Sequence, residues 1–71
     1  MKPLPYREVQ RKLEQAGFVE VSQKGSHVKF VREFEDEVWT VIVPCHREVS
    51  PGTLRSILRQ SGLSVDVFDD L

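Results

Sequence analysis

The sequence predicts an α+β fold in which two helices cover one face of a three-stranded antiparallel sheet. Three observations support this prediction. Amphipathic stretches with helical spacing lie near each end of the chain, three β-rich segments lie between them, and short turns join those segments. Short turns between successive strands imply an antiparallel meander. The predicted order is α-β-β-β-α with a short C-terminal helix, a two-layer sandwich that leaves the other sheet face to solvent or a partner.

The first helix is predicted over residues 5–16. Its apolar residues recur at helical spacing and are Tyr6, Val9, Leu13 and Ala16. Pro5 suits the first helical turn, where a missing N–H costs nothing. Gly17 suits a left-handed stop, and Phe18 is expected to fold back onto the helix as the apolar contact of that stop.

The three strands are predicted over residues 18–23, 27–34 and 38–43, where β-branched and aromatic residues predominate. Residues 24–26 form the first turn, and four acidic residues within 33–37 surround the second. In a strand, alternate side chains point to opposite faces. His27, Lys29 and Val31 should therefore share one face of the middle strand, and Val28 and Phe30 should anchor the other.

The second helix is predicted to begin at Ser50-Pro51 and to end at Gly62-Leu63. Serine is a preferred N-cap, and proline suits the first helical position. Its inward stripe is expected to consist of Leu54, Ile57, Leu58 and Ser61. Ser64 is expected to cap a short third helix, whose inward side chains are Val67, Phe68 and Leu71. The same order of elements occurs in double-stranded-RNA-binding domains (dsRBDs), which is an analogy of fold alone.

Length and composition indicate one small domain, residues 1–71, without room for a deep active-site pocket. The net charge is −1, but residues 1–32 carry seven Lys or Arg against three Glu. Either one face is basic and another acidic, or the charges are evenly solvated over the surface. The single cysteine excludes an internal disulfide framework. No apolar run resembles a signal peptide or a membrane span, so the chain is expected to be soluble and cytoplasmic, with no membrane partner.

His27 is the main candidate for chemistry. Histidine transfers protons near neutral pH, and here it opens a strand between Lys24 and Lys29. RNA cleavage needs such a group, together with positive charge where the phosphorane forms. The lysines can supply that charge, and the amides of Gly25 and Ser26 can form a small anion nest. From the pattern alone, a strand histidine without a role is the alternative.

Other candidates are less specific. His46, after the third strand, is a second proton donor or acceptor, a phosphate contact, or a plain loop histidine. Trp39 can stack on a base or belong to the core, and the core is favoured. Arg55 and Arg59, four residues apart on the second helix, can contact phosphate or simply face solvent. A zinc site or a thiol nucleophile at Cys45 is not expected, since too few ligands and no orienting group are apparent.

Several motifs together resemble the HicA (YcfA-like) toxins of bacterial type II toxin–antitoxin systems. The resembling segments, in chain order, are Gly17-Phe18, the run Lys24 to Phe30, Val43 to His46, and Pro51 to Leu63. The resemblance covers nearly the whole chain. It implies a dsRBD-like mRNA interferase that cuts RNA independently of the ribosome and is neutralised by a HicB antitoxin. In that family the histidine of the Gly-Ser-His motif is tied to cleavage, and it corresponds to His27.

With this resemblance, we expect a metal-independent endoribonuclease that needs no cofactor and acts on single-stranded RNA or mRNA. His27 is the expected catalytic residue, and the expected supporting residues are Lys24, Gly25, Ser26, Lys29, His46, Arg55 and Arg59. Alone, the toxin is expected to be a monomer, and with a HicB-like antitoxin a hetero-oligomer. The alternatives are a non-catalytic dsRBD-like RNA-binding module and a protein-interaction domain whose basic face meets an acidic partner.

Overall fold

The computed structural model describes residues 1–71 and contains three helices and five strands. In chain order the elements are β1 (Leu4–Pro5), α1 (Tyr6–Gln15), β2 (Val19–Lys24), β3 (His27–Phe34), β4 (Glu37–Pro44), β5 (Glu48–Val49), α2 (Pro51–Ser61) and α3 (Val65–Asp70). The predicted α-β-β-β-α order, with its short C-terminal helix, is confirmed. None of the helices is long and apolar enough to cross a membrane.

The main sheet has the strand order β2-β3-β4, and both pairings are antiparallel. The middle strand β3 alternates as predicted. Val28 and Phe30 are completely buried, whereas His27 and Lys29 are exposed. On β4, Val41 and Val43 are buried on the same inner face, and the helices cover this face. The molecule is accordingly thin, with extents of 33 × 30 × 17 Å.

The helices end as their sequences predict. At the end of α1, the N–H of Phe18 donates to the Leu13 carbonyl (2.9 Å), and that of Gly17 donates to the Glu14 carbonyl (3.0 Å). This pair of bonds is a Schellman motif, which requires the positive φ that Gly17 adopts (101°). In α2, the Ser50 hydroxyl accepts from the N–H of Thr53, and the entire predicted inward stripe is buried.

A buried lysine ties α3 to α1. The ammonium of Lys12 donates to the carbonyl oxygens of Phe68 (2.9 Å), Asp69 (3.3 Å) and Leu71 (3.1 Å), and it lies 5.2 Å from the centre of the Phe68 ring. Arg11 adds a bond to the Leu71 carbonyl. Because α3 ends here, the Asp69 and Leu71 carbonyls have no helical N–H to accept from, whereas the Phe68 carbonyl also accepts from the N–H of Leu71 (3.2 Å). The helical pattern does not reveal this contact, because Lys12 lies outside the apolar stripe of Tyr6, Val9, Leu13 and Ala16.

Two further features differ from the sequence prediction. Val67 was expected to pack on the core but is half exposed, because the short helix α3 turns only Phe68 fully inward. The strands β1 and β5 pair with each other through Leu4 and Val49, and Pro5 belongs to β1 instead of opening α1. Two-residue strands are too short for the alternation that identifies longer ones.

Gly62 provides a test of the contact between α2 and the sheet. It has a φ of +73°, and a Cβ at this position would lie 3.0 Å from Cζ3 of Trp39. We expect Gly62→Ala to lower the free energy of unfolding by about 1–3 kcal/mol, from the left-handed backbone and the close contact. Urea unfolding measures this loss.

The matched control for that variant is Gly52→Ala, in the first turn of the same helix. Its added methyl group meets nothing within 4 Å, and its φ is not positive. Its unfolding midpoint should stay the same or rise slightly, because alanine favours helix. Equal midpoints for the two variants would contradict the proposed role of Gly62.

Lys12→Met tests the tie between α1 and α3. Methionine fills a similar volume but cannot donate to the three carbonyl oxygens, and the Asp69 carbonyl loses its donor altogether, so we expect a loss of about 1–3 kcal/mol. Arg7→Met, at an exposed position of the same helix, should have little effect. Urea unfolding gives the stability, and hydrogen exchange of the α3 amides should accelerate only in Lys12→Met. Unchanged exchange in that variant would show that α3 is held by Phe68 packing alone.

Candidate functional site

His27 lies at the start of the middle strand, on the sheet face that the helices leave uncovered. It is exposed, and its cross-strand neighbours are Lys24 on β2 and Pro44 on β4. Lys29 lies two residues further along the same strand face. The structure thus brings Lys24, His27 and Lys29 together, as the sequence predicted. Because Val28 and Phe30 are buried on the opposite face of the strand, the side chains of His27 and Lys29 project outward.

The turn before His27 is held by two hydrogen bonds. The side-chain amide of Gln23 donates to the Gly25 carbonyl (3.1 Å), and the backbone N–H of Cys45 donates to the Ser26 carbonyl. Gly25 has a φ of +59° at the first of the two turn residues and Ser26 has no positive φ, as in a type II′ loop, which takes glycine at its first residue. The end of β4 and the turn therefore support each other beside His27.

His46 follows β4 in the loop that begins at Cys45, and it is exposed. Because Pro44 is paired with His27, this loop begins at the same end of the sheet. Tyr6, at the start of α1, is also close to the loop. Partial burial raises the pKa of the Tyr6 hydroxyl, and electrostatic interactions with Cys45, Glu20 and Glu14 raise it further. Tyr6 is therefore neutral at pH 7, and it packs partly on the core.

Arg55 and Arg59 do not join this row. Both are exposed on α2, in the helical layer that covers the inner face of the sheet. Trp39 also faces inward: it is half-buried, packs against the core and lies beside Gly62. The prediction that Trp39 belongs with the core is confirmed, and it does not share a face with His27. A stacking role on that face is thereby excluded for this tryptophan.

Concave surfaces lie away from His27. One cavity of about 350 Å³ follows the acidic hairpin of residues 33–38, and a second of about 330 Å³ is lined by Met1, Lys2, Leu4 and Asp69. No group of three His, Cys, Asp or Glu side chains is arranged to hold a metal ion. The surface around His27 is open and has no cavity, so only a large or extended molecule can contact it broadly.

The family comparison agrees with this arrangement. Residues 6–63 match the family described as HicA toxin of bacterial toxin-antitoxin. The chain belongs to the HicA toxin family. It is therefore a toxin of the toxin–antitoxin type, and membership implies a cognate antitoxin and an RNA target in general terms. Among curated proteins, none matches this chain. The matched region of this HicA chain contains the turn, His27, both lysines and the His46 loop.

Sequence reasoning missed the exposed apolar residues that lie further along the sheet face that carries His27. Val19 and Val38 are 62% and 63% exposed, and Ile42 is 38% exposed. The signal was present in β4, where both alternating sets contain apolar residues instead of one. A strand that is apolar on both sides is expected to be covered on both sides.

Gly25→Ala tests whether the turn needs its left-handed residue. Nothing lies within 4 Å of the added methyl group, so any cost comes from the positive φ alone. We expect a loss of about 1 kcal/mol in urea unfolding. Ser26→Ala is the control, because the Ser26 hydroxyl makes no hydrogen bond within the chain and its removal should be neutral. If both variants unfold alike, the strain argument for Gly25 is wrong.

Proposed function

We propose that this HicA toxin is an endoribonuclease, an mRNA interferase, in which His27 transfers a proton during cleavage of RNA. One observation carries the proposal: the exposed His27 lies between two lysines on a rigid, uncovered strand face of a HicA-family chain. Strands position side chains more precisely than loops do, and exposure allows a polymer to reach them. The general RNase character of the family supports the same reading.

Cleavage within RNA requires two proton transfers. A base removes the proton of the ribose 2′-hydroxyl, whose oxygen then attacks the adjacent phosphorus. The bond from phosphorus to the 5′ oxygen breaks, and an acid protonates that oxygen as it leaves. The products are a 2′,3′-cyclic phosphate and a 5′-hydroxyl, and the reaction needs neither an oxidant nor a resident cofactor. His27 performs one transfer; the other comes from His46, which lies in the loop at the same end, or from water.

The lysines stabilise the charge that develops on the phosphate. Lys24 is directly opposite His27, and Cβ atoms of such cross-strand pairs lie about 5 Å apart. Lys29 is about 7 Å along the strand from His27. Both ammonium groups are therefore within reach of a phosphate that touches His27. The amides of Gly25 and Ser26, in the adjoining turn, are the third source of positive potential.

The open surface sets the substrate class. A phosphate on an exposed strand suits a single-stranded RNA, whose backbone is free to lie along the face. Because no cavity adjoins His27, little selection among bases is expected. Arg55 and Arg59, in the helical layer, then contact phosphates upstream or downstream of the cut. A HicB-like antitoxin neutralises the toxin by covering the face that carries His27.

The experiment is cleavage of an end-labelled, unstructured RNA in the presence of a chelator. Loss of the proton-transfer group should slow cutting by His27→Ala about 10²–10⁴-fold, while RNA retention and the unfolding midpoint stay close to wild type. The chelator tests whether the reaction is independent of metal ions. Analysis of the product ends tests the mechanism, since a 5′-phosphate would rule out attack by the 2′-hydroxyl.

His46→Ala is the matched comparison, an exposed histidine at the same end of the sheet. A similar loss would assign it the second proton transfer, and unchanged cutting would assign that step to water. Equal cutting by wild type and His27→Ala would overturn the proposal. RNA that binds to wild type in a salt-dependent manner but is never cut would favour the non-catalytic RNA-binding module.

A further inference from the structure

The sheet face that carries His27, here called the outer face, is built of rows of cross-strand neighbours. Side chains of directly paired residues project to the same side of a sheet. From the turn at residues 25–26 toward the hairpin at residues 35–36, the rows are Lys24, His27 and Pro44; Ser22, Lys29 and Ile42; Val19, Val31 and Thr40; then Glu33 and Val38. Rows are about 7 Å apart, since two residues separate them along a strand.

Opposite charges occupy the two ends of the outer face. The first two rows carry Lys24 and Lys29, with no acidic residue in either row. The fourth row carries Glu33, and the hairpin beyond it is formed by Glu35 and Asp36. The middle row, which contains Val31, carries no charge. The face is therefore basic at one end, acidic at the other and uncharged at its centre.

Apolar side chains of β4 and β2 complete this face. Val38 and Ile42 lie in the fourth and second rows, at equal distances on either side of the middle row, and Val19 lies in the middle row. All three are more than a third exposed. Val31 is directly opposite Val19 and diagonal to Val38 and Ile42, so it joins the three into one apolar patch, and such a patch on a small protein marks an interaction surface more often than chance exposure does.

We propose that a second copy of this chain packs on the outer face, with the two sheets face to face and the copies related by a twofold axis. The axis lies between the two sheets, perpendicular to the strands and above Val31. It therefore places the second row of one copy opposite the fourth row of the other. Lys29 then faces Glu33 of the second copy, and Ile42 faces Val38 of the second copy. The first row, which contains Lys24, faces the hairpin of Glu35 and Asp36 in the second copy. The outer face is therefore complementary to itself, as a twofold contact requires.

The face is favoured over the sheet edges as the contact. At the β4 edge, the N–H of Ile42 donates to the side-chain oxygen of Gln60 (2.8 Å), so this backbone group is already occupied. At the β2 edge, the pairing with β3 shifts between Glu20 and Ser22, which marks a bulge. Occupied backbone groups and bulges both oppose the addition of a further strand. Neither feature obstructs the outer face.

The size of the face sets the strength of this association. The eight residues of β3 span about 26 Å, and three strands span about 14 Å, so the face covers an area of about 360 Å². This area is smaller than the roughly 800 Å² that each partner buries in a stable complex. The dimer is therefore weak, and the toxin is monomeric when dilute. Because His27 lies within the first row, the dimer also covers it. That dimerisation blocks RNA cleavage rests on the proposed function, whereas the dimer itself does not.

Sedimentation velocity of the toxin alone, without RNA, tests the contact. Over about 5 to 500 μM, the range expected of small transient interfaces, wild type should shift from monomer to dimer. Lys29→Glu and Glu33→Lys should each weaken association about tenfold or more, because the twofold axis makes every like-charge contact occur twice. An equimolar mixture of these two variants should associate again, and so should the double variant Lys29→Glu/Glu33→Lys.

The control variants are Arg7→Glu and Glu14→Lys, which change the net charge equally but lie exposed on α1. They should dimerise like wild type. Circular dichroism melting confirms that each variant is folded. Wild type that stays monomeric throughout the range would overturn the proposal and leave the face to the antitoxin or RNA. Failure of the mixture and the double variant to associate would overturn the proposed pairing of Lys29 with Glu33.

Discussion

The alternation of the central strand β3 is the constraint on which the rest of the structure depends. Val28 and Phe30 are fully buried beneath the helices, and this burial directs His27 and Lys29 outward. A shift of one residue would reverse both sets, placing a lysine and a histidine in the core. The buried pair therefore specifies the register, and the register places the candidate site. Because the core is small, the same few side chains stabilise the fold and position the chemistry.

The two ends of the sheet are held in different ways. At the far end, α1 and α2 stop at left-handed glycines, and Trp39 and Arg32 lie against Gly62 and Gly17 respectively. At the end with His27, the support is mostly backbone hydrogen bonding, through the bond from Cys45 to Ser26 and the pairing of Pro44 with His27. Side-chain packing thus closes one end, while the candidate site keeps its side chains free for a ligand.

The outer face is open, so both a polymer and protein partners can reach it. An open strand surface can accept a polymer without a pocket, which suits the RNA cleavage proposed above. The same surface exposes Val19, Val38 and Ile42, which are apolar enough to attract protein partners. The proposed function and the proposed dimer place RNA, antitoxin and a second copy of the chain on one face, for which the three would compete. Weak self-association would leave the face available to an antitoxin that binds more tightly.

Local features of the sequence determined most of the fold. Features that depend on near neighbours can be predicted from the sequence. They are the apolar spacing in α1 and α2, the helix start at Ser50-Pro51, the helix ends at Gly17 and Gly62, and the alternation of β3. The same pattern, with the family resemblance, singled out His27. Only the tertiary structure decided which distant residues meet. The Lys12 ammonium reaches carbonyls at residues 68–71, and the pairing of β3 with β4 places Pro44 and the loop after it beside His27. Such contacts depend on how the elements pack, and no local periodicity encodes that.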